Sequence, residues 1–137
     1  MIPFLRPLVH RDHAPYELVD SEVGSLIAAV VEPALDSKSR RRGLLGRSTL
    51  PEHHALVIAP CNAVHTIGMQ FPIDVIFVAS DGLVVKIVER LGAWRMAGAL
   101  RASVTVELAA GMVRRTRVSV GDRLLIQRAP AAVSVTS

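Results

Sequence analysis

The stretch IDVIFVASDGLVVKIVERL, residues 73–91, carries the strongest fold signal in the chain. Two runs rich in Val and Ile flank Ser80-Asp81-Gly82, a sequence typical of a tight hairpin turn. Valine and isoleucine are β-branched and favour strands over helices. The stretch therefore predicts two antiparallel strands, over residues 73–79 and 83–91.

Further short apolar runs, separated by turn residues, lie on both sides of this hairpin. They predict strands over residues 24–34, 54–59, 63–69, 104–109 and 123–128. Residues 92–101 break the pattern and are predicted as an irregular loop, and a short helix is predicted over residues 112–117. Because strands follow one another along the chain with short turns, we expect meander connectivity.

One good helix signal stands between the first two of these runs. Asp36 or Ser37 can cap its N-terminus, and glycines mark its end near Arg47. Leu44 and Leu45 are expected to turn inward. The predicted fold is mainly β: a single small β-sandwich or distorted barrel of about seven strands, with this short helix packed across one end.

Length and composition limit the possible classes of protein. A chain of 137 residues has room for one domain, and 50% hydrophobic with 20% charged residues excludes a disordered tail or a charged coiled coil. We predict a partly ordered N-terminal arm over residues 1–20, a β domain over 21–128 and a C-terminal tail over 129–137.

Cysteine usage and hydropathy indicate the compartment. Cys61 is the only cysteine, so no intrachain disulfide can form, which fits a reducing compartment. The first residues lack the pattern of a signal peptide, and the longest apolar run has six residues where a membrane span needs about 20. We expect a cytoplasmic protein with no membrane association. Cys61 and His65 lack the further ligands of a zinc site, so we expect no metal and no cofactor.

The basic residues are unevenly distributed. Residues 1–37 carry two Arg against six acids (−4), and residues 38–137 carry fourteen cations against six acids (+8). Two clusters stand out, Arg40–Arg42 and the group Arg114, Arg115 and Arg117. We interpret both as solvated faces. Weak nucleic-acid binding through these clusters remains an alternative, although the chain has few of the aromatic residues that single-strand binding uses.

Polar residues concentrate in the predicted hairpin 61–79, where His65, Thr66 and Asp74 stand among apolar side chains. A three-residue turn over 70–72 places Asp74 with Thr66 on the face opposite His65, whereas a slip by one residue brings His65 and Asp74 to one face. We favour the three-residue turn, because it groups the larger apolar side chains. Thr66 and Asp74 are then structural, with the Asp74 carboxylate accepting backbone N–H bonds of its own turn.

A ligand site is predicted where the irregular loop and these polar residues could meet. Trp94 and Arg95 offer a flat apolar face beside a cation, Arg47 leaves the helix end, and His65 lies on a strand near the same mouth. We expect a binding module for a small polar or anionic ligand or partner, and we expect these four residues to bind a small anionic ligand. The alternative is a small enzyme that uses His65, Asp74 and Glu107, but no nucleophile and base stand at a persuasive spacing, so we expect a binding protein.

Several motifs together carry a family resemblance. They are RGLLGR (42–47), Leu50-Pro51, VHTIGMQFPIDVIF (64–77), Asp81-Gly82 and GDRL (121–124). In this order the chain resembles the DUF192 family, a family of unknown function, from about residue 21 to 127. The resemblance implies a compact, mainly β domain in which one short helix carries the RGLLGR element. It implies no reaction.

Overall fold

A computed structural model of the protein describes residues 2–9 and 15–130. These residues form ten strands and three short α-helices, after a 3-10 helix over Pro3–Leu5. The strands are β1 (Tyr16–Asp20), β2 (Ser25–Ala28), β3 (Val30–Ala34), β4 (His54–Ile58), β5 (Ala63–His65), β6 (Ile73–Val78), β7 (Val84–Leu91), β8 (Met96–Gly98), β9 (Val104–Ala109) and β10 (Leu124–Arg128). The helices are α1 (Arg6–Val9), α2 (Ser37–Arg42) and α3 (Met112–Thr116). The predicted mainly β class is confirmed.

The described strands form three sheets. A five-stranded sheet has the order β3-β4-β9-β6-β7, a three-stranded sheet has the order β10-β1-β2, and β5 and β8 form a two-stranded ribbon. The sheets are arranged as in a sandwich and none of them closes into a barrel. The predicted meander is wrong, because β9 lies between β4 and β6 and because β3 and β4 are parallel. Strands β6 and β9 are buried on both faces, which suits the centre of a sheet.

The apolar run 24–34 forms two strands instead of the one predicted. The chain changes sheet at Ala29, so that β2 pairs with β1 while β3 pairs with β4. Pro33 lacks an N–H group, and β3 accommodates it because this strand is at the edge of the five-stranded sheet.

The two faces of the five-stranded sheet are covered differently. One face packs against the three-stranded sheet and α3, around side chains that include Leu18, Ile27, Ile76 and Val106. The other face packs against the segment after α2 and against the β5–β8 ribbon, around Leu44, Val75 and Phe77 among others.

Helix α2 is shorter than the sequence suggested. The carboxylate of Asp36 accepts a hydrogen bond from the Ser39 N–H at 2.8 Å, which caps the helix and lowers the pKa of Asp36. Gly43 ends the helix with a φ of 46°, a conformation that favours glycine. Leu44 turns inward as predicted, with 2% of its surface exposed, but Leu45 is 38% exposed, so the prediction for Leu45 is wrong.

The predicted pairing of residues 63–69 with 73–79 is also wrong, in both of its registers. Strand β5 ends at His65 and pairs with β8, whereas β6 pairs with β7 and β9. The Thr66 hydroxyl explains the change: it donates to the Gly92 carbonyl at 2.6 Å and accepts from the Arg95 N–H at 2.9 Å. These bonds hold β5 beside the 92–101 segment, which therefore contains a strand and is not wholly irregular.

The turn at Ser80-Asp81-Gly82 is confirmed as the hairpin between β6 and β7. The Gly82 N–H donates to the Ala79 carbonyl, and the Ala79 N–H donates to the Leu83 carbonyl. Gly82 has a φ of 95°, and a Cβ atom there would lie 2.5 Å from the Leu124 carbonyl oxygen. A larger residue at this position would therefore push β10 away.

The N-terminal segment contributes more structure than an arm. Phe4 and Leu5 are buried in the core, and β1 is the central strand of the three-stranded sheet. The sequence analysis did not predict β1. Residues 10–14, within the predicted arm, and residues 131–137, most of the predicted tail, lie outside the described residues. The domain limits at residues 21 and 128 stay predictions.

Candidate functional site

A cavity of about 460 Å³ opens on the second face of the five-stranded sheet, between α2, the segment after β4, and β9. We call it the arginine cavity. Its polar and charged lining consists of Ser37, Arg40, Arg41, Arg42, Cys61, His65 and Glu107. Its apolar lining is formed by Leu44, Leu45, Ile58, Pro60, Ala63, Val64 and Met69, with Gly43 beside them. A cavity with apolar walls and a few convergent polar groups is the usual form of a small-molecule site.

Glu107 is the one acidic residue of this lining. It lies on the central strand β9, opposite Leu56 of β4 and Val75 of β6, so its side chain points to the cavity face of the sheet. Burial raises the pKa of Glu107 to about 7, and the positive charge of Arg47 opposes this increase. Among the described residues none donates a hydrogen bond to its carboxyl group, although the residue is only 5% exposed. The carboxyl group therefore keeps its proton to a higher pH than an exposed glutamate does.

The three arginines all lie in the last turn of α2. Arg40 is half-buried, and its guanidinium donates to the Pro60 carbonyl at 3.2 Å. No carboxylate of the described residues lies within ion-pair distance of Arg40, Arg41 or Arg42. Arg41 and Arg42 are exposed, as expected of a solvated face, whereas Arg40 is half-buried and also contacts the Pro60 carbonyl. The cavity lining therefore holds three arginines and one acidic residue, and outside the lining Asp36 lies near Arg40.

Cys61 and His65 complete the polar lining. Cys61 is half-buried, and its thiol donates to the Ala63 carbonyl at 3.2 Å. His65 is exposed at the end of β5, on the face of the ribbon that it shares with Met96. Both side chains border the space between the arginines and the ribbon.

The structure brings only one of the four predicted ligand residues into the cavity lining. His65 lines it, whereas Arg47 forms a two-point ion pair with Glu32, at 3.0 and 3.3 Å. His54 contacts the same carboxylate at 3.0 Å. Burial would raise the pKa of Glu32, but the hydrogen bonds from these two side chains hold it below its ordinary value. Arg47 therefore acts on the cavity only through its charge.

Trp94 and Arg95 are exposed outside the cavity lining. The Trp94 side chain is 71% exposed, and only its backbone N–H is engaged, by the Thr66 carbonyl. Arg95 uses its backbone to hold Thr66. The site prediction included this loop because it holds the only Trp of the sequence. Two other sequence signals point to the cavity. They are Arg40–Arg42, which follow a strong helix cap, and Glu107, the one acid within the apolar strand VTVELA.

Asp74 has a different role from Glu107. Its buried carboxylate accepts three backbone N–H bonds, from Arg90 at 2.9 Å, Gly111 at 3.0 Å and Val113 at 2.9 Å. The predicted donors of the 70–72 turn are wrong, because that turn does not form. Asp74 is the neighbour of Val75 on β6 and points to the opposite face of the sheet from Glu107. The catalytic set of His65, Asp74 and Glu107 is thus not assembled.

The described part of the chain offers no candidate for a metal site or for a membrane-spanning helix. No group of three or more His, Cys, Asp or Glu side chains there could hold a metal ion. Nor do its helices include one with the length and apolar character that crossing a bilayer requires.

The fold and the cavity together define a small β-sandwich protein with a cationic cavity against one sheet. Comparison with protein-family models then identifies the family. The DUF192 model, described as "Uncharacterized ACR", matches residues 20–126, so the chain belongs to the DUF192 family and the resemblance is confirmed. A search of curated proteins found no match.

Two solved structures are similar to this chain. One is described as a "putative transcription regulator" from Sinorhizobium meliloti: it is 27% identical, the TM-score is 0.71, and the match covers 81% of this chain and 91% of that one. The other is a protein of unknown function from Novosphingobium aromaticivorans, which is 20% identical with a TM-score of 0.68 over 80% of this chain and 82% of that one. The second likeness shows the fold alone.

Proposed function

We propose that this protein binds a small anionic ligand in the arginine cavity. The observation that carries the proposal is the cluster Arg40–Arg42, which faces a cavity of about 460 Å³ without any carboxylate at ion-pair distance in the described part of the chain. Guanidinium groups bind carboxylates and phosphates through charged hydrogen bonds. The apolar wall formed by Leu44, Ile58 and Met69 would contact the body of the ligand.

Binding is favoured over catalysis. The enzyme alternative requires Asp74, but the Asp74 carboxylate accepts three backbone N–H bonds on the other face of the sheet. Cys61 has its thiol on a backbone carbonyl and not on His65. His65 then borders the mouth of the cavity, where it can contact a bound anion. Of the four predicted ligand residues, His65 is the one that we still expect to contact the ligand directly.

Removing two arginines tests the proposal. We expect Arg41→Ser/Arg42→Ser to weaken anion binding at least about tenfold, because each guanidinium supplies charged hydrogen bonds. Both side chains are exposed, so the Tm of the free variant should stay within about 2 °C of the parent. The measurement is a thermal-shift series with phosphate and with short carboxylic acids, since a ligand of the native state raises Tm.

Arg114→Ser/Arg117→Ser is the matched control. It removes the same charge from exposed positions of α3 and its C-cap, on the other face of the five-stranded sheet, where Arg114 lines a smaller cavity of about 310 Å³ with Glu89 and Arg90. This variant should bind anions as the parent does. Equal weakening in both variants would mean that only net charge matters, and the proposed site would be abandoned.

Nucleic-acid binding is the second candidate. Arg41 and Arg42 are exposed cations. The similar protein from Sinorhizobium meliloti is described as a "putative transcription regulator". This candidate predicts tight, strongly salt-dependent binding of generic DNA or RNA that Arg41→Ser/Arg42→Ser abolishes. We expect no such binding at physiological salt, and a filter-binding assay checks it.

A cytoplasmic location belongs to the proposal as well. It rests on Cys61, whose free thiol fits a reducing compartment. Fractionation of the native cells, with detection of the chain in the cytoplasmic fraction, tests it.

A further inference from the structure

The arginine cavity holds one polar group that an anion alone would not satisfy. Glu107 is 5% exposed, lies at the sheet side of the cavity, and receives no hydrogen bond from any described residue. The Glu107 carboxyl group opens into the cavity, because Asp20 Oδ2 is the one fully buried side-chain oxygen without a hydrogen-bond partner among the described residues. A ligand that fills the cavity must therefore offer Glu107 a hydrogen bond or leave its carboxyl group buried and unpaired. Asp74 shows how this fold treats a carboxylate with a structural role, because Asp74 accepts three backbone N–H bonds.

We infer that the ligand of this cavity is a small anion that also carries a hydroxyl group, with its acid group on Arg40–Arg42 and its hydroxyl on Glu107. The inference rests on the proposed function and names the class of ligand for that same site. The acid group is a carboxylate or a phosphate, since both suit guanidinium groups.

The charged and titratable groups around Glu107 indicate that the ligand group that contacts it is uncharged. Helix α2 contributes Arg40, Arg41 and Arg42, and the loop after α2 contributes the charge of Arg47. The segment 61–65 contributes Cys61 and His65. None of these side chains donates a hydrogen bond to Glu107, and the surrounding charge is positive. An ammonium group on the ligand would add a further positive charge to this surrounding, which disfavours a zwitterion.

A hydroxyl group fits both protonation states of Glu107. It donates to the carboxylate and accepts from the carboxylic acid, so the raised pKa of Glu107 does not prevent this pairing. A second acid group on the ligand could pair only with the protonated form. An apolar ligand end would leave the carboxyl group buried and unpaired, and sites built to bind a hydroxyl group reject analogues that lack it.

Matched ligands test the inference. The probes are butanoate, pentanoate and hexanoate, their ω-hydroxy and ω-amino derivatives, and propyl phosphate with 3-hydroxypropyl phosphate. Calorimetric titration of the intact protein gives a Kd for each. For at least one chain length the hydroxy acid or hydroxyalkyl phosphate should bind about tenfold more tightly than its apolar counterpart. The two series distinguish a carboxylate from a phosphate as the acid group.

Two variants link the preference to Glu107. Glu107→Leu keeps the side-chain volume and should abolish the hydroxyl preference while the apolar acids still bind. Glu107→Gln keeps a group that donates and accepts, so it should retain the preference. If the leucine variant does not fold, Glu107→Ala removes the same polar group with a smaller side chain and should likewise lose the preference.

The outcomes separate this inference from the proposed function. If no anion binds the parent, the proposed function fails, and the inference fails with it. Suppose instead that anions bind the parent and that Arg41→Ser/Arg42→Ser no longer binds them. Then only the inference is overturned if a hydroxyl group on the ligand does not tighten binding, or if it still tightens binding to Glu107→Leu. Preference for the ω-amino derivatives would overturn it in favour of a zwitterionic ligand.

Discussion

Asp74→Ala is expected to lower the free energy of unfolding by about 4 kcal/mol. The substitution leaves the N–H groups of Arg90, Gly111 and Val113 without their acceptor. The Val113 bond is buried and the other two are part-buried, and a buried donor left unpaired costs about 1 to 3 kcal/mol. These donors join β7 and the start of α3 to the interior strand β6, so their loss affects three segments together. Urea denaturation followed by circular dichroism measures the change.

Asp74→Asn is the matched control for this prediction. Its amide keeps one acceptor oxygen, so it should cost about 1 to 3 kcal/mol, less than the alanine variant. If both variants were as stable as the parent, the three backbone bonds would have no structural importance and Asp74 would be free for another role.

Glu107→Gln is expected to remove a large pH dependence of stability. In the unfolded chain Glu107 ionises around its ordinary pKa of 4.5, whereas burial raises its pKa to about 7 in the folded protein. Between these values the folded state binds more protons than the unfolded state, so stability falls as pH rises from about 4.5 to 7. One pKa unit corresponds to 1.36 kcal/mol, which gives a loss of about 3 kcal/mol in the parent.

The comparison of parent and variant isolates this group. Asp20, whose pKa is raised by burial and by the neighbouring Asp122, and Glu32, whose pKa is lowered by Arg47 and His54, titrate in both proteins. Their contributions cancel in the difference between the two curves. Chemical denaturation at pH 4.5, 5.5, 6.5 and 7.5 gives that difference, and parallel curves for the parent and Glu107→Gln would show that Glu107 titrates as an exposed carboxyl group.

Local sequence patterns predicted those parts of the fold that local interactions determine. The β6–β7 hairpin follows from Ser80-Asp81-Gly82 between two β-branched runs, and α2 follows from the Asp36 cap. Strand β9 was predicted with its observed bounds, because its apolar residues are uninterrupted except by Thr105 and Glu107.

Pairing between distant segments could not be predicted in the same way. Strands β5 and β8 have three residues each, too few for a periodic signal, and their pairing depends on the Thr66 hydroxyl meeting the 92–95 backbone. The position of β9 between β4 and β6 likewise depends on contacts between distant parts of the chain, which no local sequence pattern predicts.

The same limit applies to the candidate site. The sequence shows that Arg40–Arg42 are clustered, but only the packing of α2 against the 60–65 segment makes them face a cavity. Glu107 stands out in the sequence as an acid within an apolar strand. That it lacks a hydrogen-bond partner, whereas Asp74 has three, depends on which backbone N–H groups the fold brings to each side of the sheet.

Mapping of anion binding by NMR tests the central claim most directly. Titration of the labelled protein with phosphate and with 4-hydroxybutanoate should give saturable shifts at the Arg40–Arg42 guanidinium groups, the His65 ring and the Glu107 carboxyl carbon. The signals of Arg114 and Arg117, on the surface of α3 and its C-cap, should not change. Saturable shifts confined to those two arginines, or no saturable shift at Glu107 and Arg40–Arg42, would contradict the account.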